Sequence, residues 1–84
     1  MSEVRDVVEV IARALVDDPD AVEVTETEHR GVAVVELFVA PDDLGRVIGR
    51  QGRTATAIRT LVMATAERDG THASVEFRDE HGQR

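Results

Sequence analysis

Between Pro41 and Gly70 the chain carries the apolar spacing of two helices, broken once, at Gly49-Arg50-Gln51-Gly52. Leu44, Val47 and Ile48 form a short stripe. Ala55, Ile58, Leu61, Val62 and Thr65 form a longer one over about residues 53–69 and are expected to face inward. Two helices joined by four residues must turn sharply. The first glycine lets the chain leave the short helix in a conformation that a Cβ disfavours, and the second lets the backbone approach a ligand closely. The next helix then presents unpaired N–H groups and the positive end of its dipole. Arg50 and Arg53 add formal charge at the same spot. This arrangement suits a phosphodiester backbone, with Val47, Ile48 and Ile58 flooring a groove for bases.

The remaining pattern completes an α-β-β-α-α-β order. Val4, Val7, Val8, Ile11 and Leu15 recur at helical spacing over residues 3–16, with Ser2 as N-cap and Asp17-Asp18-Pro19 as the stop. Residues 21–28 alternate as a half-buried strand. After a turn at Arg30-Gly31, residues 32–39 are almost wholly apolar, which predicts a central strand. Pro41-Asp42-Asp43 opens the short helix, and the paired acids read as helix punctuation. Ala73, Val75 and Phe77 alternate in a third strand over residues 72–78, and residues 79–84 read as a polar C-terminal tail. With 84 residues there is length for one domain, here residues 1–78. Phe38 and Phe77 are the only aromatics, so the core must be aliphatic. The expected fold is α+β in two layers: a three-stranded mixed sheet with the helices on one face. The first two strands pair antiparallel, and the third lies parallel to the second.

Composition excludes several classes. There is no cysteine, hence no disulfide or thiolate metal site. No apolar run approaches the ~20 residues that span a bilayer, and no basic segment followed by an apolar stretch opens the sequence, so a cytoplasmic location is expected. The net charge of -7, from 17 acids and 10 arginines with no lysine, argues at first against nucleic acid. Its distribution argues otherwise. Residues 44–66 hold Arg46, Arg50, Arg53 and Arg59 and no acid; the rest of the chain holds all 17 acids and the other six arginines, so a local +4 sits on a remainder of -11. That is a focused binding feature on an acidic body.

A bare G-x-x-G arises by chance in about one chain in three of this length, given glycine at about 7%. The specificity lies in the context of flanking helices and arginines. Val47-Ile48-Gly49-Arg50-Gln51-Gly52-Arg53, followed by Ala57-Ile58-Arg59, resembles the K homology (KH) signature V-I-G-x-x-G and its following helix. The element order resembles the type II, bacterial form. The shortness of the chain and the stretch from Asp43 to Val62 resemble the small single-KH proteins of the KhpA (YlqC-like) family, a likeness running from Val4 to about Phe77. The resemblance implies a post-transcriptional regulator or RNA chaperone that grips about four nucleotides of single-stranded RNA at the loop. The residues concerned are Arg46, Val47, Ile48, Gly49, Arg50, Gln51, Gly52, Arg53, Ile58 and Arg59. It also implies a partnership with itself or with a larger Jag-type (KhpB-like) KH protein. Many such proteins carry lysine in the loop; here Arg50-Gln51 keeps the charge.

The alternative is a protein-interaction module in which the glycine loop only shapes the fold. For Arg46, Arg50, Arg53 and Arg59 the alternative is a solvated helix face offset by nearby carboxylates, and Arg59 could equally pair with an acid in the body of the protein. No cofactor is expected, because His29, His72 and His81 are scattered. No enzyme is expected either: the acid pairs have no His, Ser or Lys partner, and a Walker loop needs a lysine. Replacing both loop glycines with aspartate is expected to abolish RNA binding and leave the fold intact. One small site on a net -7 body binds weakly, so a dimer is expected. Val32, Val34 and Phe38, facing outward beside Glu36, offer it a surface.

Overall fold

The computed structural model describes residues 2–79. The elements follow in the order α1 (Glu3–Leu15), β1 (Glu23–His29), β2 (Val32–Val39), α2 (Leu44–Ile48), α3 (Arg53–Arg68) and β3 (His72–Asp79). Short 3-10 turns at Pro19–Ala21, Pro41–Asp43 and Arg50–Gly52 connect them. The three helices cover one face of the sheet, as expected.

Ser2 caps α1, its hydroxyl accepting the Arg5 N–H at 3.0 Å. The first strand begins two residues later than expected, because Pro19 starts a 3-10 turn that carries the chain to Val22. β1 and β2 then form an antiparallel hairpin closed by two residues, Arg30 and Gly31, with φ of 55° and 81°. Positive φ at both positions matches the right-handed twist of the strands. β3 returns parallel to β2, so β2 is central. β3 also runs one residue further than the alternation suggested, pairing Asp79 with Val39. The expected tail therefore starts after Asp79; residues 80–84, and with them His81, lie outside the described residues.

The density of apolar residues in β2 follows from its position. Val35, Leu37 and Val39 are buried beneath the helices, while Val32, Val34 and Phe38 on the opposite face are half-buried. Val4, Val8 and Ala12 of α1, Val47 of α2, and Ile58, Val62 and Ala66 of α3 join them in the core, together with Val22, with Val24 of β1 and with Val75 of β3. Full burial of a Val, Leu or Ile side chain contributes roughly 1.5–3 kcal/mol, so an aliphatic core of this extent suffices without aromatics. Two helical stripes differ from expectation. On α3 the buried positions are Ala55, Ile58, Val62 and Ala66, and Leu61 is 49% exposed. Leu61 stands 100° around the helix from Val62, which carries it out of the layer. Small Ala66 fills the last inward position, and Thr65 is half-buried. On α1, Ala12 is buried, and Leu15, in the final turn, is exposed. No helix among the described residues is long and apolar enough to cross a membrane.

Candidate nucleic-acid interface

α2 ends at Gly49, whose φ of 79° and ψ of 169° lie in a region essentially reserved for glycine. The cause is local. A Cβ on Gly49 would stand 2.9 Å from the Thr54 backbone nitrogen and closer still to the Thr54 side chain. The loop folds back on the first turn of α3, and only a hydrogen atom fits between. Gln51 (φ 58°, ψ 23°) and Gly52 (φ 73°, ψ 15°) follow in left-handed conformation. A Cβ at Gly52 would meet open space. The expectation that both glycines tolerate aspartate is thus corrected at Gly49, where the side chain would collide with the start of α3. The Gly52 N–H donates to the Gly49 carbonyl at 3.1 Å and the Gly49 N–H to the Gly45 carbonyl at 2.8 Å, so the turn is internally braced.

The arginines divide into three kinds. Arg50 and Arg53 are exposed, and among the described residues neither has a carboxylate within 4.0 Å. Both flank the N-terminus of α3, a helix of 16 residues, so formal and dipolar positive charge add at one place. Arg46 is engaged: its guanidinium lies 2.8 Å from Asp17 and 3.3 Å from Asp43. Arg59 has no carboxylate partner among the described residues and lies over the Phe77 ring, 4.9 Å from its centroid. Of the apolar residues expected to floor a groove, Val47 and Ile58 are only 0% and 2% exposed, and Ile48 is half-buried. Gln51 is exposed at the tip.

Two features had no clear sequence signal. Asp43 is not helix punctuation: its side chain makes no capping bond to α2 and is only 2% exposed. Its two carboxylate oxygens accept the N–H groups of Asp17 and Asp18, each at 3.1 Å. It ties the end of α1 to the start of α2. Thr54, which fixes the conformation of Gly49, reads in sequence as an ordinary helix-surface residue. A larger hollow, about 590 Å³, lies away from the loop against Ser2, Arg5, Glu26, Thr27 and Glu28. Its two glutamates make it a poor place for a phosphate.

The comparisons with known proteins agree with this architecture. The family profile described as KhpA/KhpB, KH domain, matches residues 5–77. The RNA-binding protein KhpA of Caldanaerobacter subterraneus subsp. tengcongensis is 54% identical over 72 residues, covering 86% of this chain and 96% of that protein. The protein of the same name in Aquifex aeolicus is 46% identical over 77 residues, covering 92% and 98%. That in Mycobacterium bovis is 58% identical over 57 residues, covering 68% and 71%. Among solved structures, Aquifex aeolicus Era superposes with a TM-score of 0.63 at 18% identity, over 90% of this chain and 29% of that one. A crystal structure of Era in complex with MgGDPNP and a segment of 16S ribosomal RNA matches equally well, with a TM-score of 0.63. These two likenesses concern the fold. With a profile match across nearly all described residues and the α-β-β-α-α-β order of a type II KH fold, the chain belongs to the KhpA/KhpB family of KH-domain proteins.

Proposed function

We propose that this protein binds single-stranded RNA without catalysing a reaction, holding the sugar-phosphate backbone at Gly49-Arg50-Gln51-Gly52. The observation that carries the reading is a pair of arginines, Arg50 and Arg53, with no carboxylate partner among the described residues, beside a glycine turn that opens into the N-terminus of α3. A turn that served only the fold would have no use for two uncompensated cations on a protein of net charge -7. The relatives named RNA-binding protein KhpA support the same reading, and the family is one of RNA-binding proteins rather than enzymes. Within the site, Arg50, Arg53, Gly49, Gly52 and Gln51 meet the backbone, Ile48 offers apolar surface, and Val47 and Ile58 support it from the core. Arg46, already balanced by two acids, contributes least. In the cytoplasm such a protein acts as a post-transcriptional regulator or RNA chaperone.

Phosphate contacts position a ligand and carry no sequence information. Arg50→Ala and Arg53→Ala should therefore each weaken binding to every RNA sequence about equally. Each should also flatten the salt dependence, by up to ~0.7 in slope for every single-strand phosphate that is no longer neutralised. Fluorescence anisotropy at several salt concentrations measures both. An altered base preference with an unchanged salt slope would refute the assignment.

A protein partner is also proposed, in the form of a second copy of this chain or a larger Jag-type KH protein. The supporting observation is apolar exposure on the helical layer: Val10 of α1 is 69% exposed and Leu61 of α3 is 49% exposed. The open sheet face is a weaker candidate than its sequence suggested. There Phe38 is half-buried, and its neighbour Arg78 pairs with Glu36 at 3.1 Å.

A further inference from the structure

Among the described residues, Arg46 alone of the four arginines in the basic segment faces carboxylates, and its two acids differ in kind. Asp43 is anchored. Its side chain is 3% exposed, holds the Asp17 and Asp18 N–H groups, and lies 3.3 Å from the Arg46 Nε. Asp17 is not anchored. Its side chain is 74% exposed, and the Arg46 Nη2, at 2.8 Å, is its only partner among the described residues. Arg46 itself stands in the last turn of α2, three residues before Gly49. An exposed ion pair is weak, so a competing anion can displace one of its members.

We propose that Asp17 withholds Arg46 from RNA. Its carboxylate occupies the place at Nη2 that a backbone phosphate would take, so the free protein keeps a reserve cation beside the loop. The inference rests on the RNA-binding reading above. Carboxylate and phosphate are recognised by a guanidinium through the same planar, charge-assisted hydrogen bonds, and so compete for it. A strand held at Gly49-Arg50-Gln51-Gly52 brings its phosphates within a side chain's length of the last turn of α2. There Asp17 acts twice: it takes up Arg46 and it repels the phosphate. Asp43 is not displaced in the same way, because its departure would strand the two N–H groups that it satisfies. The pair between Asp17 and Arg46 is therefore an autoinhibitory contact. It leaves the grip weaker than four arginines allow and less dependent on salt, with one neutralised phosphate fewer.

The test measures fluorescence anisotropy of the full chain with a uridine octamer at several salt concentrations. Asp17→Asn removes the charge and keeps the backbone N–H that Asp43 holds. It should bind roughly twofold to fivefold more tightly than the wild type, the range that an exposed ion pair commands. Its salt slope should be steeper by up to ~0.7, for one further neutralised phosphate. Its melting temperature should stay near that of the wild type. Asp20→Asn is the control for net charge: Asp20 is exposed, in the same segment, and has no ion pair among the described residues. In an Arg46→Ala background, Asp17→Asn should gain no more than Asp20→Asn does. A gain that persists undiminished without Arg46, or one that Asp20→Asn matches in the wild-type background, would overturn the inference, since loss of general repulsion would account for it. So would an Asp17→Asn variant that binds no more tightly than the wild type, or binds more tightly with an unchanged salt slope. Absence of RNA binding by the wild type and Asp17→Asn alike would overturn the RNA-binding reading itself, and the inference with it.

Discussion

Gly49 and Gly52 bracket one loop, but their backbones demand different things. At Gly49 the dihedral angles and the nearby Thr54 nitrogen both exclude a Cβ. At Gly52 only the left-handed conformation is at issue, and the space is open. A Cβ in left-handed conformation costs roughly 1–2 kcal/mol. A glycine-only conformation combined with a backbone clash should cost about 3 kcal/mol, the upper end for local strain. For a domain of this size 1 kcal/mol shifts the melting temperature by about 4–8 °C. Gly49→Ala should then melt at least ~10 °C below wild type, and Gly52→Ala about 5 °C below. Thermal melting followed by circular dichroism checks the ranking, and equal losses in the two variants would contradict the role given to Thr54. It follows that loss of RNA binding by a Gly49 variant reports on folding as much as on contact. Gly52→Asp is the cleaner probe of the loop.

At the scale of elements, what was legible depended on periodicity. The six elements, their order and the strand pairing all follow from apolar spacing and turn residues, because core burial imposes those periods directly. Stripe edges were not legible: Leu61 and Ala66 are both compatible with helical spacing, and only the packing of α3 decides which is covered. The glycine turn and the place of Arg50 and Arg53 beside it were readable, since both are local in sequence. The bonds of Asp43 to Asp17 and Asp18, of Arg46 to Asp17 and of Arg59 to Phe77 were not, because each partner lies far off in sequence. Asp43 shows the consequence. Its carboxylate links α2 to the segment after α1, 25 and 26 residues away. Removing it leaves two part-buried N–H groups and the Arg46 guanidinium short of a partner. Asp43→Ala should destabilise by about 2 kcal/mol, on the scale of a hydrogen bond to a charged acceptor. Asp42→Ala, at an exposed neighbour, should stay within about 0.5 kcal/mol of wild type. Urea denaturation measures both. Since Arg50 and Arg53 are untouched, the folded Asp43 variant should bind RNA within a few-fold of wild type, and a complete loss of binding would mean that Arg46 and its partners belong to the interface itself.

For the whole molecule the question is how a net charge of -7 is reconciled with RNA. The +4 segment is confined to α2, the loop and α3, while acids dominate the remaining surface. Approach is thus directed to one end of the helical layer, and a long RNA is repelled elsewhere. On the proposed reading, a single grip of about four nucleotides on such a body would be weak. Pairing two copies places a second grip at high effective concentration without any new contact to RNA. Val10 and Leu61 lie on the two long helices that pack together, whose ends are also joined by the ion pair between Glu3 and Arg68. Burying exposed apolar surface of this kind provides the drive for association. Light scattering at micromolar protein should report a dimer for the wild type, a monomer for Leu61→Glu and an unchanged dimer for Phe38→Glu. Leu61 is exposed in the monomer, so its replacement should leave the melting temperature of a diluted sample nearly unchanged. The monomeric variant should bind an octamer with wild-type affinity and a 30-nucleotide RNA at least tenfold more weakly, since only the longer strand engages two sites. A wild-type monomer that already binds the long RNA tightly would remove the need for a second copy, and a dimer dissolved by Phe38→Glu alone would transfer the interface to the open face of the sheet.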